Sequence, residues 1–241
     1  MMPVRGAACL LALTAAHASL VIHVRTPRGI VACADKRVTG AGTSDRYIKL
    51  IPSGDACVYA ATGNANTFWS KGHTELEYSV YAVIDRFFAA APCSDGAVDL
   101  DALGTEIERS LLAAAGKNPL KGPAPSSVVI VMHRDDTGRL RTGRCRITTR
   151  LDSRNVITAV NRECKDTSGE SVLAYGDTAY LKQLAKPGVN AADAAESMRA
   201  LIRTSAELGA SDISPTSDCV LLPETGAIEW LPTPEGEYPP R

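Results

Sequence analysis

Residues 19–39 read SLVIHVRTPRGIVACADKRVT, and this stretch decides the fold. Leu20, Ile22 and Val24 alternate with Ser19, Val21, His23 and Arg25. Thr26-Pro27-Arg28-Gly29 supplies a turn, and Ile30 to Ala34 runs apolar again up to Asp35. Alternation, turn and apolar return describe an antiparallel hairpin. An odd-length loop centred on Pro27 places Ser19 opposite Asp35, and a slip of one residue places Lys36 there instead. His23 reads as a solvent-facing strand residue.

Outward from this hairpin, further strands are expected at Tyr47–Ile51 and Ala56–Thr62, the second apolar enough to be buried on both faces. Helical spacing of Leu76, Val80, Val83, Ile84 and Phe87 predicts a helix over 66–90, and Leu103, Ile107, Leu111 and Leu112 predict another over 99–115, which Gly116 can end. Strands at 128–132, 139–150, 156–160 and 172–175 follow. Next come helices at 178–186 and 191–208, the latter capped by Asn190, and strands near 219–222 and 228–231. The simplest way to bury every apolar face in this order is an α+β fold, a four-layer αββα sandwich of two antiparallel sheets between helical layers. Residues 19–231 form one domain in this reading, and the Pro-rich residues 232–241 trail as a tail.

The 26 Lys and Arg against 27 Asp and Glu leave a net charge of −1, so no charge imbalance draws the chain to nucleic acid or to an anionic membrane. The Arg-rich strand from Arg139 to Arg150 reads as a solvated face. Residues 1–18, MMPVRGAACLLALTAAHA, carry one cation, an apolar run too short to span a bilayer, and Ala16-His17-Ala18 in a small-x-small pattern. They are expected to be a signal peptide or pro-segment, cut before Ser19, with export to the periplasm or medium favoured over the cytoplasm. Removing Cys9 leaves six cysteines, an even number that suits an oxidising compartment, although Cys33 and Cys57 read as buried thiols within apolar strands. No Cys/His cluster has metal-ligand spacing, and neither metal nor cofactor is expected.

G-x-S-x-G, S-x-x-K, P-loop and H-E-x-x-H motifs are all missing, and the four histidines are too few for a histidine-based triad to be an obvious choice. What remains is Ser19 as a new N-terminus. Its hydroxyl is a nucleophile, and its α-amine, with an ordinary pKa of about 7.7–8.0, is a base on the same residue.

At these residues the chain resembles the proteasome-type N-terminal nucleophile hydrolases, proteasome β subunits and their bacterial relatives. The likeness runs from Ser19 to Thr39, through Tyr47-Ile48-Lys49-Leu50, to YAATGNA at 59–65, and can be followed along most of 19–231. It implies the αββα fold and a site in which Ser19 is the nucleophile, Lys49 the nearby cation, Gly63 the oxyanion-hole glycine, and Asp35 and Arg37 the Asp-x-Arg motif. Asp212 and Ser214 match the residues that help hold the amine. Val38, Thr39, Tyr47, Ala61 and Ala65 match the substrate-binding positions. A lysine beside the hydroxyl would stabilise the alkoxide, and Asp35 would orient that lysine. The chain departs from the pattern in starting with serine, in a shorter loop between Asp35 and Lys49, and in Tyr175-Gly176 where a serine precedes glycine. The expected activity is hydrolysis of peptide or other amide bonds in a homo-oligomer, a ring or part of one. The alternatives are an inactive assembly or interaction subunit that keeps residues 1–18, and a secreted disulfide-stabilised binding domain.

Overall fold

A computed structural model of the chain describes residues 19–37, 48–63, 68–93, 98–176, 178, 193–210 and 213–232. The expected signal segment, the helix over 178–186 beyond its first residue, Asn190 and the tail beyond residue 232 lie outside the described residues. The architecture is α+β with antiparallel sheets.

The first sheet takes β1 (Leu20–Thr26), β2 (Gly29–Asp35), β11 (Val172–Gly176), β12 (Ser217–Pro223) and β13 (Glu229–Leu231), ordered β11-β1-β2-β12-β13. The second takes β3 (Ile51–Ser53), β4 (Cys57–Gly63), β8 (Ser126–Arg134), β9 (Leu140–Leu151) and β10 (Ile157–Asp166), ordered β10-β9-β8-β4-β3. A small third sheet joins β5 (Phe68–Ser70), β6 (Glu75–Leu76) and β7 (Leu120–Lys121). The described helices are α1 (Val80–Ala90), α2 (Leu100–Ala115) and α3 (Ala194–Glu207).

Alternation along the strands sorts the core into three apolar clusters. Leu20, Ile22, Cys33 and Cys219 of the first sheet pack with Met198 and Ile202 of α3. On that sheet's other face, Val21, Ala32, Ala34 and Val220 meet Val58, Ala60, Ile130 and Met132 of the second sheet. The second sheet's remaining face joins Tyr59, Val129 and Ile147 to Ile84, Leu103 and Ile107 of α1 and α2.

Four local expectations are corrected. The β1–β2 hairpin closes through the two residues Pro27 and Arg28, with Thr26 opposite Gly29, so the odd loop is replaced and the register moves by one. Two strands and a turn at Gly72 and His73, the latter at φ 59°, stand where the long helix was expected, and α1 starts only after Ser79 caps it through Ala82 N. That apolar spacing had merged Leu76 of β6 with a true helix. Cys33 and Cys57 are not thiols: Cys33 pairs with Cys219, Cys57 with Cys93 and Cys145 with Cys164. The first and third pairs join residues directly opposite on neighbouring strands.

His23 is fully buried, not solvent-facing. It lies on the same face of β1 as Val21, which belongs to the inter-sheet cluster, and it stacks on Tyr175 with centroids 6.0 Å apart. Neither ring nitrogen has a hydrogen-bond partner among the described residues. Burial first, and Arg25 second, push its pKa down to about 4. The folded state therefore prefers the neutral ring, and stability is complete above the unfolded value near 6.5 and lost as pH falls toward 4. At about 1.4 kcal/mol per unit, wild type should lose about 2–3 kcal/mol between pH 7 and 4.5 that a His23→Leu protein does not lose. Urea unfolding of both proteins at the two pH values checks this, and parallel losses would exclude it.

Candidate functional site

The site forms where the start of β1, the end of β2 and the residues leading into β3 converge. Asp35 is the last residue of β2 and is fully buried. A buried carboxylate persists only where donors replace its water. Here Oδ1 accepts from Leu20 N at 2.7 Å and Lys49 Nζ at 2.9 Å, and Oδ2 accepts from Arg37 N at 2.9 Å and Ser214 N at 3.2 Å. Four donors thus meet one carboxylate.

Lys49 is 3% exposed and its ammonium also donates to Ser19 Oγ at 2.8 Å. Ser19, Lys49 and Asp35 are therefore one hydrogen-bonded chain linking a hydroxyl, a cation and a carboxylate. The register correction explains how: Asp35 lies level with Leu20, accepts its main-chain N–H, and reaches Ser19 only through the lysine.

Gly63 ends β4 at φ +83° opposite Ser127, and a Cβ there would stand 2.5 Å from the Ser126 carbonyl oxygen. Backbone conformation and close packing both demand glycine. Arg37 contributes its main-chain N–H to Asp35. Ser214 is fully buried, and beyond its N–H it pairs its hydroxyl with Thr216 Oγ1 at 2.8 Å. Ala61 lies buried within β4. Val38, Thr39, Tyr47, Ala65 and Asp212 lie outside the described residues.

Two contributors, Gly176 and Asp218, escaped the sequence reading. Gly176, at φ +104°, faces Leu20 across the β11–β1 ladder, and a Cβ on it would fall on the Ser19 carbonyl. The Tyr175-Gly176 pair that broke the expected pattern thus makes room for the Ser19 backbone. Lys36, placed next to Asp35 by the strand, pairs its Nζ with buried Asp218 Oδ1 at 3.3 Å, and burial pushes the Asp218 carboxyl upward against the pull of that lysine. The isolated reading of Asp-x-Arg had no view of Asp218, which arrives from β12. Among the described residues no His, Cys, Asp and Glu group could hold a metal ion.

No family model matches the chain, and no curated protein matches its sequence. Solved structures do match. An Anbu (Gly-1) mutant from Hyphomicrobium sp. strain MC1 is 16% identical, with a TM-score of 0.55 over 88% of this chain and 86% of that one. Anbu, the ancestral β-subunit, from Yersinia bercovieri is 10% identical with a TM-score of 0.54 over 88% and 86%. The helical assembly of the Anbu complex from Pseudomonas aeruginosa is 11% identical, with a TM-score of 0.54 over 87% and 82%. The chain therefore has an Anbu-like fold. These findings correct the sequence-based assignment to the proteasome-type N-terminal nucleophile hydrolases: the structures that match are Anbu proteins, and identities of 10–16% carry a fold and not membership of that family.

The buried ion pair makes a prediction independent of activity. Lys49→Met should cost about 3–5 kcal/mol, because it strands a buried carboxylate. In the Asp35→Asn background the same substitution should cost much less, and a double-mutant cycle by chemical denaturation reads the difference. Additive losses would mean that the two groups do not depend on each other.

Proposed function

We propose that the chain is an N-terminal serine amidohydrolase, most simply a peptidase, that acts through an acyl-enzyme on Ser19. The observation that carries this reading is the buried Lys49 ammonium, 2.8 Å from Ser19 Oγ and 2.9 Å from Asp35 Oδ1. Residues 1–18 are removed in this reading, 19–231 form the working domain and 232–241 a tail. The three stacked apolar clusters support a four-layer αββα sandwich as its frame.

The freed α-amine takes the hydroxyl proton, directly or through a water, as Oγ attacks the amide carbonyl. Lys49 stabilises the alkoxide as its charge develops, and Asp35 keeps the ammonium in place. The Gly63 N–H is the donor for the oxyanion, where the absence of a side chain permits close approach. Collapse of the tetrahedral adduct passes the proton to the departing amine and leaves the ester on Ser19. Water, deprotonated by the same α-amine, then releases the acid. Ser214, with Asp212 in the same segment, helps hold the amine, Arg37 braces Asp35, and Val38, Thr39, Tyr47, Ala61 and Ala65 surround the substrate. Assembly with further copies of the chain belongs to this reading, and the helical assembly of the Pseudomonas Anbu complex supports it.

A second reading, an exported disulfide-stabilised binding domain, is favoured by the three cysteine pairs. The three pairs favour export to an oxidising compartment for either reading, and the enzyme reading is cytoplasmic if residues 1–18 are a pro-segment. Non-reducing mass spectrometry of protein from its native host should find a first residue at Ser19 and six blocked cysteines. A start elsewhere or a retained Met1 removes the catalytic reading, and six free thiols remove the export.

Protein trimmed to Ser19 should hydrolyse members of a fluorogenic peptide pool and bind electrophiles that bridge hydroxyl and amine. Ser19→Ala should do neither, whereas Ser19→Thr should keep activity. Lys49→Ala should lose about 10²-fold to 10³-fold in turnover, the usual loss for one stabilising donor. If trimmed wild type cleaves nothing and takes up no electrophile, the binding-domain reading replaces the enzyme.

A further inference from the structure

Lys49 faces the wrong way for a continued β3, and the reason is a tyrosine on α1. The β3–β4 ladder pairs Ile51 with Tyr59, Pro52 with Val58 and Ser53 with Cys57. The same register, continued toward the N-terminus, sets Lys49 opposite Ala61. Residues opposite on neighbouring strands share a face, and residues two apart along a strand share it too. Tyr59 and Ala61 belong to the cluster shared with α1 and α2, and Ile51 packs against that same cluster. In a regular ladder the Lys49 side chain would enter this helical layer, away from the first sheet. Its ammonium instead reaches Ser19 and Asp35, which the first sheet carries.

The ladder stops at Ile51 because its next rung is occupied. Tyr81, in the first turn of α1 and 7% exposed, puts its hydroxyl between the two chains. The Ala61 N–H donates to Tyr81 Oη at 3.1 Å, and the hydroxyl proton has the Ala61 carbonyl at 3.0 Å and the Lys49 carbonyl at 3.4 Å as acceptors. A hydroxyl is both donor and acceptor, so it can satisfy the two main-chain groups of Ala61 that a ladder partner would otherwise take. Residues 48–50 are accordingly not strand, while Leu50 still packs into the inter-sheet cluster.

We propose that Tyr81 is a positioning residue: its hydroxyl, inserted at the Ala61 rung, keeps Lys49 out of the β3–β4 ladder and frees the lysine to turn toward Ser19 and Asp35. The effect on turnover rests on the function proposed above, whereas the effect on Lys49 does not.

The experiment compares wild type, Tyr81→Phe and Tyr59→Phe, each trimmed to Ser19 and each with lysine labelled at the ε-carbon for NMR. Tyr59→Phe is the control, because it also removes a tyrosine hydroxyl contact, the part-buried one to Asp85 on α1. Tyr81→Phe should move the Lys49 ε-signal toward that of exposed lysines. It should lower kcat by about 10-fold to 10²-fold with KM within twofold, as expected for loss of a contact that serves the transition state. The acid limb of the pH–rate profile should move with the displaced cation. Tyr59→Phe should change none of these. An unchanged Lys49 signal in folded Tyr81→Phe, or a loss that falls on KM alone, overturns the proposal. Hydrogen exchange on wild type tests the inserted hydroxyl whether or not the variant folds: the Ala61 amide should be protected like its β4 neighbours, and free exchange there overturns the proposal. A shifted Lys49 signal in a chain whose wild type is inactive sinks the enzyme reading and leaves the positioning role standing.

Discussion

The carboxylate of Asp35 is the constraint around which the site is built. Its burial would be prohibitive without replacement of its water, and the replacement comes from four parts of the chain: the N–H that opens β1, the N–H of Arg37, the ammonium of Lys49 and the N–H of Ser214. Three of those donors are main-chain groups, fixed by backbone conformation. The fourth is a charge, and it also donates to the hydroxyl of Ser19. A buried pair of this kind is weak evidence for stability as such, since an apolar replacement of equal volume can do as well.

The scaffold behind the pair is stiff where the pair needs it. Ser217 lies opposite Asp35, and one hydrogen-bonding step back along the same two strands Cys33 lies opposite Cys219 and is bonded to it. The rung beside the carboxylate is thus fixed covalently from behind. Gly63 and Gly176 act in the other direction, by omission: each stands where a side chain would strike another strand's main chain, Ser126 in one case and Ser19 in the other. Close approach of backbones gives main-chain groups access to a small space that side chains would fill.

Much of this was legible in the sequence, and the losses have a common cause. The apolar run of β4, the helix over most of 99–115 with Leu103, Ile107 and Leu111 buried, and its end at Gly116 are local signals that the structure has, whereas Asp99 caps α2 instead of starting it, Leu112 is exposed and His23 is buried. Ser19, Asp35 and Lys49 were singled out and do meet. The register slipped by one because the turn took two residues, a choice that flanking residues bias but do not dictate. Gly176, Asp218 and Tyr81 were missed because each acts on a residue far away in sequence, and nothing near them announces the partner. Cys33 looked like a thiol for the same reason, as its partner is 186 residues away.

His23 and Ser19 show the same physics with opposite outcomes. His23 stands on β1 and Ser19 immediately precedes it, and both bring polar atoms inward, four residues apart. Ser19 meets a cation whose own charge is balanced by Asp35, so a polar and even an ionic contact is tolerated in the interior. His23 meets the face of Tyr175 and has no partner for either nitrogen among the described residues, with the positive Arg25 as its charged neighbour. The low dielectric that strengthens the Lys49–Asp35 contact is the same one that forces His23 to stay neutral. A histidine in that setting is poorly suited to take a proton from Ser19. In the function proposed above the base is instead the α-amine that removal of residues 1–18 would free on Ser19, a group outside β1.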